Sequence, residues 1–216
     1  MGIDLSNVKW DQFLIYMVVI VVSITVHEFG HAFSADRLGD DTPRRQGRVT
    51  LLPTEHFDPL GFMMIVFMAL GGRGLGWGKP VQFNPANLSH PRRDQIIITA
   101  AGPFTNLCIA TITGLIIRFT GDSLAGSLTE QFLFAFLSTN LGLMFFNLIP
   151  IPPLDGSRIL SNVLPIEQAQ AYDRTMGMYG PFILLGLVFL GGPILGLILG
   201  PPIATMAEFL TGLRFR

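Results

Sequence analysis

The chain has 216 residues, half of them apolar, with only 13% charged and a formal net charge of −1. An average soluble domain is roughly 25% charged, so this composition and a mean hydropathy of +0.51 exclude an ordinary soluble domain and a disordered tail. A near-neutral chain has no basic face for DNA or RNA, so no nucleic-acid partner is expected; one cysteine, Cys108, excludes an intrachain disulfide. What is left is an integral membrane protein whose first partner is the lipid bilayer.

Gaps between charged residues mark the spans in chain order. The N-terminus does not read as a cleavable signal, because its only basic residue is Lys9 and the apolar run that follows is too long. Asp11 and Asp36 enclose 24 residues whose only ionisable members are His27, Glu28 and His31. Asp94 to Arg118 encloses 23 uncharged residues, and Glu130 to Asp155 encloses 24. As helices these runs reach about 35 Å, enough for a hydrocarbon core of about 30 Å. The 14 residues between Asp58 and Arg73 reach only about 21 Å. Arg37, Arg44, Arg45 and Arg48 precede that run; Arg73, Lys79, Arg92 and Arg93 follow it. Basic loops prefer the cytoplasm, so the segment is expected to enter and return on that side. The 33 residues between Arg174 and Glu208 are interrupted by Pro181, Gly191-Gly192-Pro193 and Pro201-Pro202; this run fits either one span with an interfacial helix or a tight hairpin.

The expected fold class is therefore an all-α polytopic membrane protein. It has about four to six transmembrane helices, a re-entrant segment, and a short extended or β element over Trp77–Pro85, where Gly and Pro oppose helix. Residues 1–216 read as one membrane domain, with a core over about 13–160 and C-terminal helices over about 175–213.

His27-Glu28-Phe29-Gly30-His31 is an H-E-x-x-H pattern. Positions i and i+4 share a helix face, so the two imidazoles can bind one metal ion. Zinc suits imidazole and takes three protein ligands in catalytic sites; Glu28 would be the general base. Ionisable residues at membrane depth are costly and by default functional, and a metal compensates all three. The third-ligand candidates are His56, His90, Glu55, Asp58 and Asp155. Asp155 ends the run Asn147-Leu-Ile-Pro-Ile-Pro-Pro-Leu-Asp-Gly156, whose three prolines unwind the backbone at the cytoplasmic end of a span. Non-helical backbone at that depth lines a cavity or is buried in protein, which places Asp155 well to complete a site. Asn106 and Asn140 also fit simple interhelical hydrogen bonding, Asp58 a helix cap, and Cys108 a packing role.

These residues resemble the site-2 protease family of intramembrane zinc metalloproteases. The matching motifs are His27–His31, Ala101-Gly-Pro-Phe-Thr-Asn106, Gly76-Trp-Gly-Lys-Pro80 and the Asn147–Gly156 run; Gly47–Gly61, with His56-Phe-Asp-Pro59, is similar to a subgroup of short members. The chain looks like a form without PDZ or CBS modules. The resemblance implies one Zn²⁺ per chain held by His27, His31 and Asp155, with Glu28 as base and Asn147 holding the substrate carbonyl or oxyanion. It implies an endopeptidase that cleaves within or near a transmembrane helix of a partner protein, in regulated intramembrane proteolysis. His56, Asn106, Trp77, Val81 and Phe83 are expected to line or support the site, the last three by pairing with an unwound substrate. The expected location is the inner membrane of a prokaryote, with the site near the cytoplasmic side. The alternative is a small proton- or ion-coupled transporter using the His/Glu cluster as a relay.

Overall fold

The computed structural model describes residues 8–71, 74 and 76–213. Among them every named element is helical: α1 (Trp10–Arg37), α2 (Thr42–Arg45), α3 (Pro59–Ala69), α4 (Pro91–Thr120), α5 (Leu128–Asn147), α6 (Asp155–Val163), α7 (Ile166–Phe189) and α8 (Gly192–Thr211), with short 3-10 turns between some of them. Helices α1, α4 and α8 are long and apolar enough to cross a membrane.

The ends of these helices follow from local chemistry. Helix α1 has Asp11 in its first turn and Arg37 in its last, each placed to suit the helix dipole. The carboxylate of Asp58 caps α3, accepting from Leu60 N at 3.0 Å and Gly61 N at 2.9 Å, with Pro59 opening the helix. Ser127 caps α5 through Glu130 N. Helix α5 stops at Asn147, and the proline-rich backbone that follows is irregular until α6 begins at Asp155. The C-terminal run resolves into two helices with a break at Leu190–Gly191; α7 continues through Pro181 and α8 through Pro201-Pro202. A proline inside a helix costs one intrahelical bond, which membrane helices accommodate. Pro193 instead sits in the first turn of α8, where its missing N–H has no intrahelical partner to lose.

One sequence expectation is met only in part and one needs revision. The extended or β element expected over 77–85 contains no strand among the described residues; there is one isolated antiparallel bridge, Phe57 to Gly78, reinforced by Lys79 N donating to His56 O at 2.7 Å. Its backbone is non-helical up to the 3-10 turn at Pro85–Asn87. A strand needs a partner ladder, and no other segment supplies one. Cys108 is exposed on α4 rather than packed. Arg73, which closed the short fourteen-residue run, lies outside the described residues.

Helix α4 is the centre of the bundle. It meets α1 closely at Gly30, where an added Cβ would stand 2.8 Å from Ala101 O. Small residues of this kind let helix backbones approach inside a membrane. On its other side Ala110 and Ile117 pack with Leu137 and Leu141 of α5 and with Ala207 and Leu210 of α8. Helix α3 rests on α1 through Ile65 against Ile20 and Ile24. Between α3 and α4, residues 76–84 run past α1, with Gly78 against Ile24 and Glu28, and border the same cavity as His27 and His31.

Candidate active site

His27 and His31 lie one turn apart on α1, and both face α4 and the start of α6. Their Nε2 atoms stand 3.1 Å apart. Asp155 Oδ2 lies 3.2 Å from His27 Nε2 and 3.4 Å from His31 Nε2. Asp155 arrives there because the irregular 148–154 backbone turns the chain back across the end of α5. Gly156 makes the turn tight enough: a Cβ there would fall 2.1 Å from Leu148 O.

This triangle fits zinc. Donors about 2.0–2.1 Å from a tetrahedral ion stand about 3.3–3.4 Å apart, close to all three edges. Asp155 Oδ2 is buried with no hydrogen-bond partner, a costly state that a cation relieves. Gly102 of α4 leaves the space beside the imidazoles open; a Cβ there would stand 2.3 Å from His31 Nε2 and 2.7 Å from His27 Nε2. No other group of His, Cys, Asp or Glu gathers in this way among the described residues.

The opposite ring nitrogens set the tautomers. His27 Nδ1 donates to Asn106 Oδ1 at 2.6 Å, and His31 Nδ1 donates to Ile98 O at 2.8 Å. With Nδ1 protonated, each Nε2 keeps its lone pair for a metal. Asn106 is itself fixed, since its Nδ2 donates to Asn140 Oδ1 at 2.8 Å and to Ser23 O at 3.3 Å. Asn140 in turn donates to Ser23 Oγ and Phe136 O. Both asparagines are therefore interhelical, and Asn106 orients His27 as well.

A cavity opens beside the triangle, lined by Glu28, Asn147, Trp77, Val81 and Phe83 among others. Glu28 faces the 76–80 backbone: an added Cβ on Gly78 would lie 3.2 Å from Glu28 Oε1. Asn147 Nδ2 donates one hydrogen to Leu143 O at 2.9 Å. An amide has two such hydrogens, so one is left for another acceptor.

Four of the five third-ligand candidates lie elsewhere. Asp58 is the α3 cap, and His90 is exposed, its backbone N bonded to Asp94. Glu55 lies in a 3-10 turn. His56 is fully buried, but it lines the loop side rather than the triangle; its Nε2 donates to Thr50 O at 2.7 Å and its Nδ1 has no partner. Burial, with the neighbouring Arg48 charge in the same direction, pushes the His56 imidazole below its ordinary range.

Sequence reasoning passed over Arg48, Gly102 and Ser23. Arg48 read as one more basic loop residue, yet its guanidinium is buried and donates to the carbonyls of Lys79 and Pro80. Successive carbonyls of a regular strand point to opposite sides; two turned to one cation explain why no strand forms at 79–80. A buried arginine has no local signal in the sequence. Gly102 had one, the Ala101–Asn106 motif, but nothing in it says which atom the glycine spares.

The profile of peptidase family M50 matches residues 111–187, a stretch that includes Asn147 and Asp155. A protein of Bacillus subtilis (strain 168) named "Putative zinc metalloprotease YwhC" is 35% identical over 182 residues, covering 75% of this chain and 81% of its own. Rip2 of Mycobacterium tuberculosis, named in the same words, is 37% identical over 155 residues, 70% of this chain and 58% of its own. Rip2 of Mycolicibacterium smegmatis is 32% identical over 163 residues, 74% of this chain and 61% of its own. No solved structure matches the chain. Relatedness of this extent, together with a His-His-Asp donor set suited to zinc, means that the chain belongs to peptidase family M50, the site-2 protease family of membrane zinc metallopeptidases.

Proposed function

We propose that this chain is an endopeptidase that cleaves within or near transmembrane helices of other membrane proteins, with zinc held by His27, His31 and Asp155. The observation that carries this reading is the convergence of three donor atoms, one of them an unpartnered buried carboxylate oxygen, within 3.4 Å of one another, two on the apolar helix α1 and the third at the start of α6. Zinc, when bound, supplies Lewis-acid polarisation of a water and of the scissile carbonyl. Glu28 accepts the proton that the attacking water loses and hands it to the leaving amine. The second amide hydrogen of Asn147 meets the carbonyl oxygen as it gains charge.

A helical peptide bond is shielded, so the substrate must unwind locally before attack. Among the described residues the backbone N–H groups of Val81, Gln82 and Phe83 have no partner. They are available for strand addition by an unwound segment. The catalytic unit occupies about 13–160, with the C-terminal helices beyond it. Helices α5 and α7 cross the membrane beside α1, α4 and α8, within the expected four to six spans, and α3 enters and returns. In this reading the membrane is a prokaryotic inner membrane, and the basic loops support a site near its cytoplasmic face. The transporter reading has no support from the zinc-metalloprotease names of the relatives.

Metal content by mass spectrometry on detergent-purified protein, wild type beside Asp155→Ala, tests the site. About one zinc per wild-type chain, falling at least tenfold in the variant, is expected; full zinc in Asp155→Ala overturns the ligand set. Cleavage of a single-pass transmembrane peptide is the second arm. Glu28→Gln should lose about 10²- to 10⁴-fold in rate while keeping its zinc. Val81→Pro with Phe83→Pro should weaken cleavage and leave zinc unchanged; unaltered cleavage rules out strand addition.

A further inference from the structure

Arg48 lies in the loop after α2 and is among the largest fully buried side chains in the molecule. One Nη donates to Pro80 O at 3.3 Å and the other to Lys79 O. That second Nη also stands 3.9 Å from Glu28 Oε2. Its Nε is buried and unpartnered. Removing a guanidinium from water is costly unless other groups compensate it. Membrane orientation is served equally by an exposed cation such as Arg45, so topology alone does not explain the burial.

The groups that Arg48 touches belong to the two sides of the cavity. Glu28 comes from α1, and the Lys79 and Pro80 carbonyls lead directly into Val81 and Phe83. Gly78 is packed between them, with an added Cβ only 3.1 Å from His56 O and 3.2 Å from Glu28 Oε1. A planar fork with five donors spreads over two carbonyls and a carboxylate from two separate nitrogens; a lysine ammonium gathers its three donors on one nitrogen and does not match that spread.

We propose that Arg48 is a positioning residue for peptide hydrolysis: it clamps the 79–80 backbone against α1 and fixes the orientation of the Glu28 carboxylate, so that one side chain sets both the substrate edge and the aim of the base. This rests on the reading of Glu28 as base and of 81–83 as the substrate-pairing edge. Arg48 touches neither the metal donors nor, in this arrangement, the substrate. Its loss therefore leaves zinc bound, lets the segment lift, and leaves Glu28 free to rotate. Misplacement by about 1 Å can cost on the order of a hundredfold in rate.

The chain has two tryptophans, Trp10 and Trp77. Trp77 sits on the clamped segment, against Gly61 of α3, so a Trp10→Phe background makes its indole a reporter that needs no substrate. Detergent-purified full chains carrying Arg48→Met or Arg48→Lys in that background are compared for zinc content, Trp77 emission and acrylamide quenching, and kcat and KM on a single-pass transmembrane peptide. Arg48→Met should hold about one zinc per chain, shift Trp77 emission to the red with roughly doubled quenching, lower kcat about ten- to a hundredfold and raise KM severalfold. Arg48→Lys should fall between Arg48→Met and wild type on every readout. Unchanged Trp77 emission and quenching in Arg48→Met overturns the clamp, whether or not any peptide is cleaved. A wild-type kcat in Arg48→Lys overturns the need for the fork, even if Arg48→Met fails to fold. A wild type that holds zinc but cleaves no peptide counts against the proposed function, while the fluorescence still decides the clamp.

Discussion

The α1–α4 seam and the 76–84 segment face the same cavity and are held in place by different means. In the seam the backbone is helical, short of one bond at Pro103, Gly30 lets the two helices approach, Gly102 leaves room for the imidazoles, and both imidazoles are pinned from behind by Asn106 and Ile98 O. The 76–84 segment has one bridge to Phe57 and is otherwise tethered by side chains. Arg48 holds its middle, and Asp40 holds its far end by accepting from Asn84 N at 2.6 Å and Asn87 Nδ2 at 2.7 Å. The difference has a chemical sense. Metal donors must sit within tenths of an ångström, which helices with supporting hydrogen bonds provide. A segment meant to pair with a foreign chain must keep its own N–H groups unspent, so it has to be positioned through side chains.

Breaking the seam should cost the metal. Gly102→Ala places a methyl group in the space that both Nε2 atoms face, and we expect more than a hundredfold weaker zinc binding with cleavage lost in parallel; titration with a competing chelator reads this directly. Next comes Asn106→Ala, which frees the back of His27 without touching the donor space. An outer-shell loss of this kind is worth about 10- to 100-fold in metal affinity, measured by the same titration.

Loosening the tethered side should leave zinc alone. Asp40→Ala removes the acceptor shared by Thr42, Asn84 and Asn87 and should destabilise the chain by on the order of 2 kcal/mol, seen as a lowered thermal midpoint and faster protease cutting near residue 84. Acidification is the mildest test. Burial works to raise the Asp40 carboxyl, but its donors outweigh that and hold it below the usual carboxylate range; burial holds His56 below its ordinary value. Both folded-state values lie below the unfolded ones, so both contributions are present at high pH and lost as pH falls. For His56 the loss begins below about 6.5, and for Asp40 below about 3.9. Hydrogen-exchange protection over 50–58, taken relative to the intrinsic rate at each pH, should therefore fall between pH 7 and pH 5, and His56→Gln should remove most of that step.

Much of the site was legible because it is local. His27 and His31 share a face by helix geometry alone, and the proline run before Asp155 announced an unwound backbone. The Asp58 cap and the short α3 were readable for the same reason. What escaped depends on partners far away in the chain. Arg48 reaches across to Lys79, Asn140 to Ser23, and Gly102 to His31; no window of sequence contains both members of any of these pairs. The extended or β reading of 77–85 is met only in its non-helical backbone for a related reason, since composition can exclude a helix but cannot provide a second strand.

The sequence by itself determined that this is a membrane protein, where its long apolar helices run, and that one of them carries two imidazoles and a carboxylate on neighbouring positions. Hydropathy and helical spacing are properties of consecutive residues, so they survive without a fold. Only the tertiary structure decided which of the five third-ligand candidates meets those imidazoles, and that a loop arginine turns inward onto the Lys79 and Pro80 carbonyls. Both outcomes hang on how α4, α6 and the loop after α2 pack around α1, and that packing is settled by the whole chain at once.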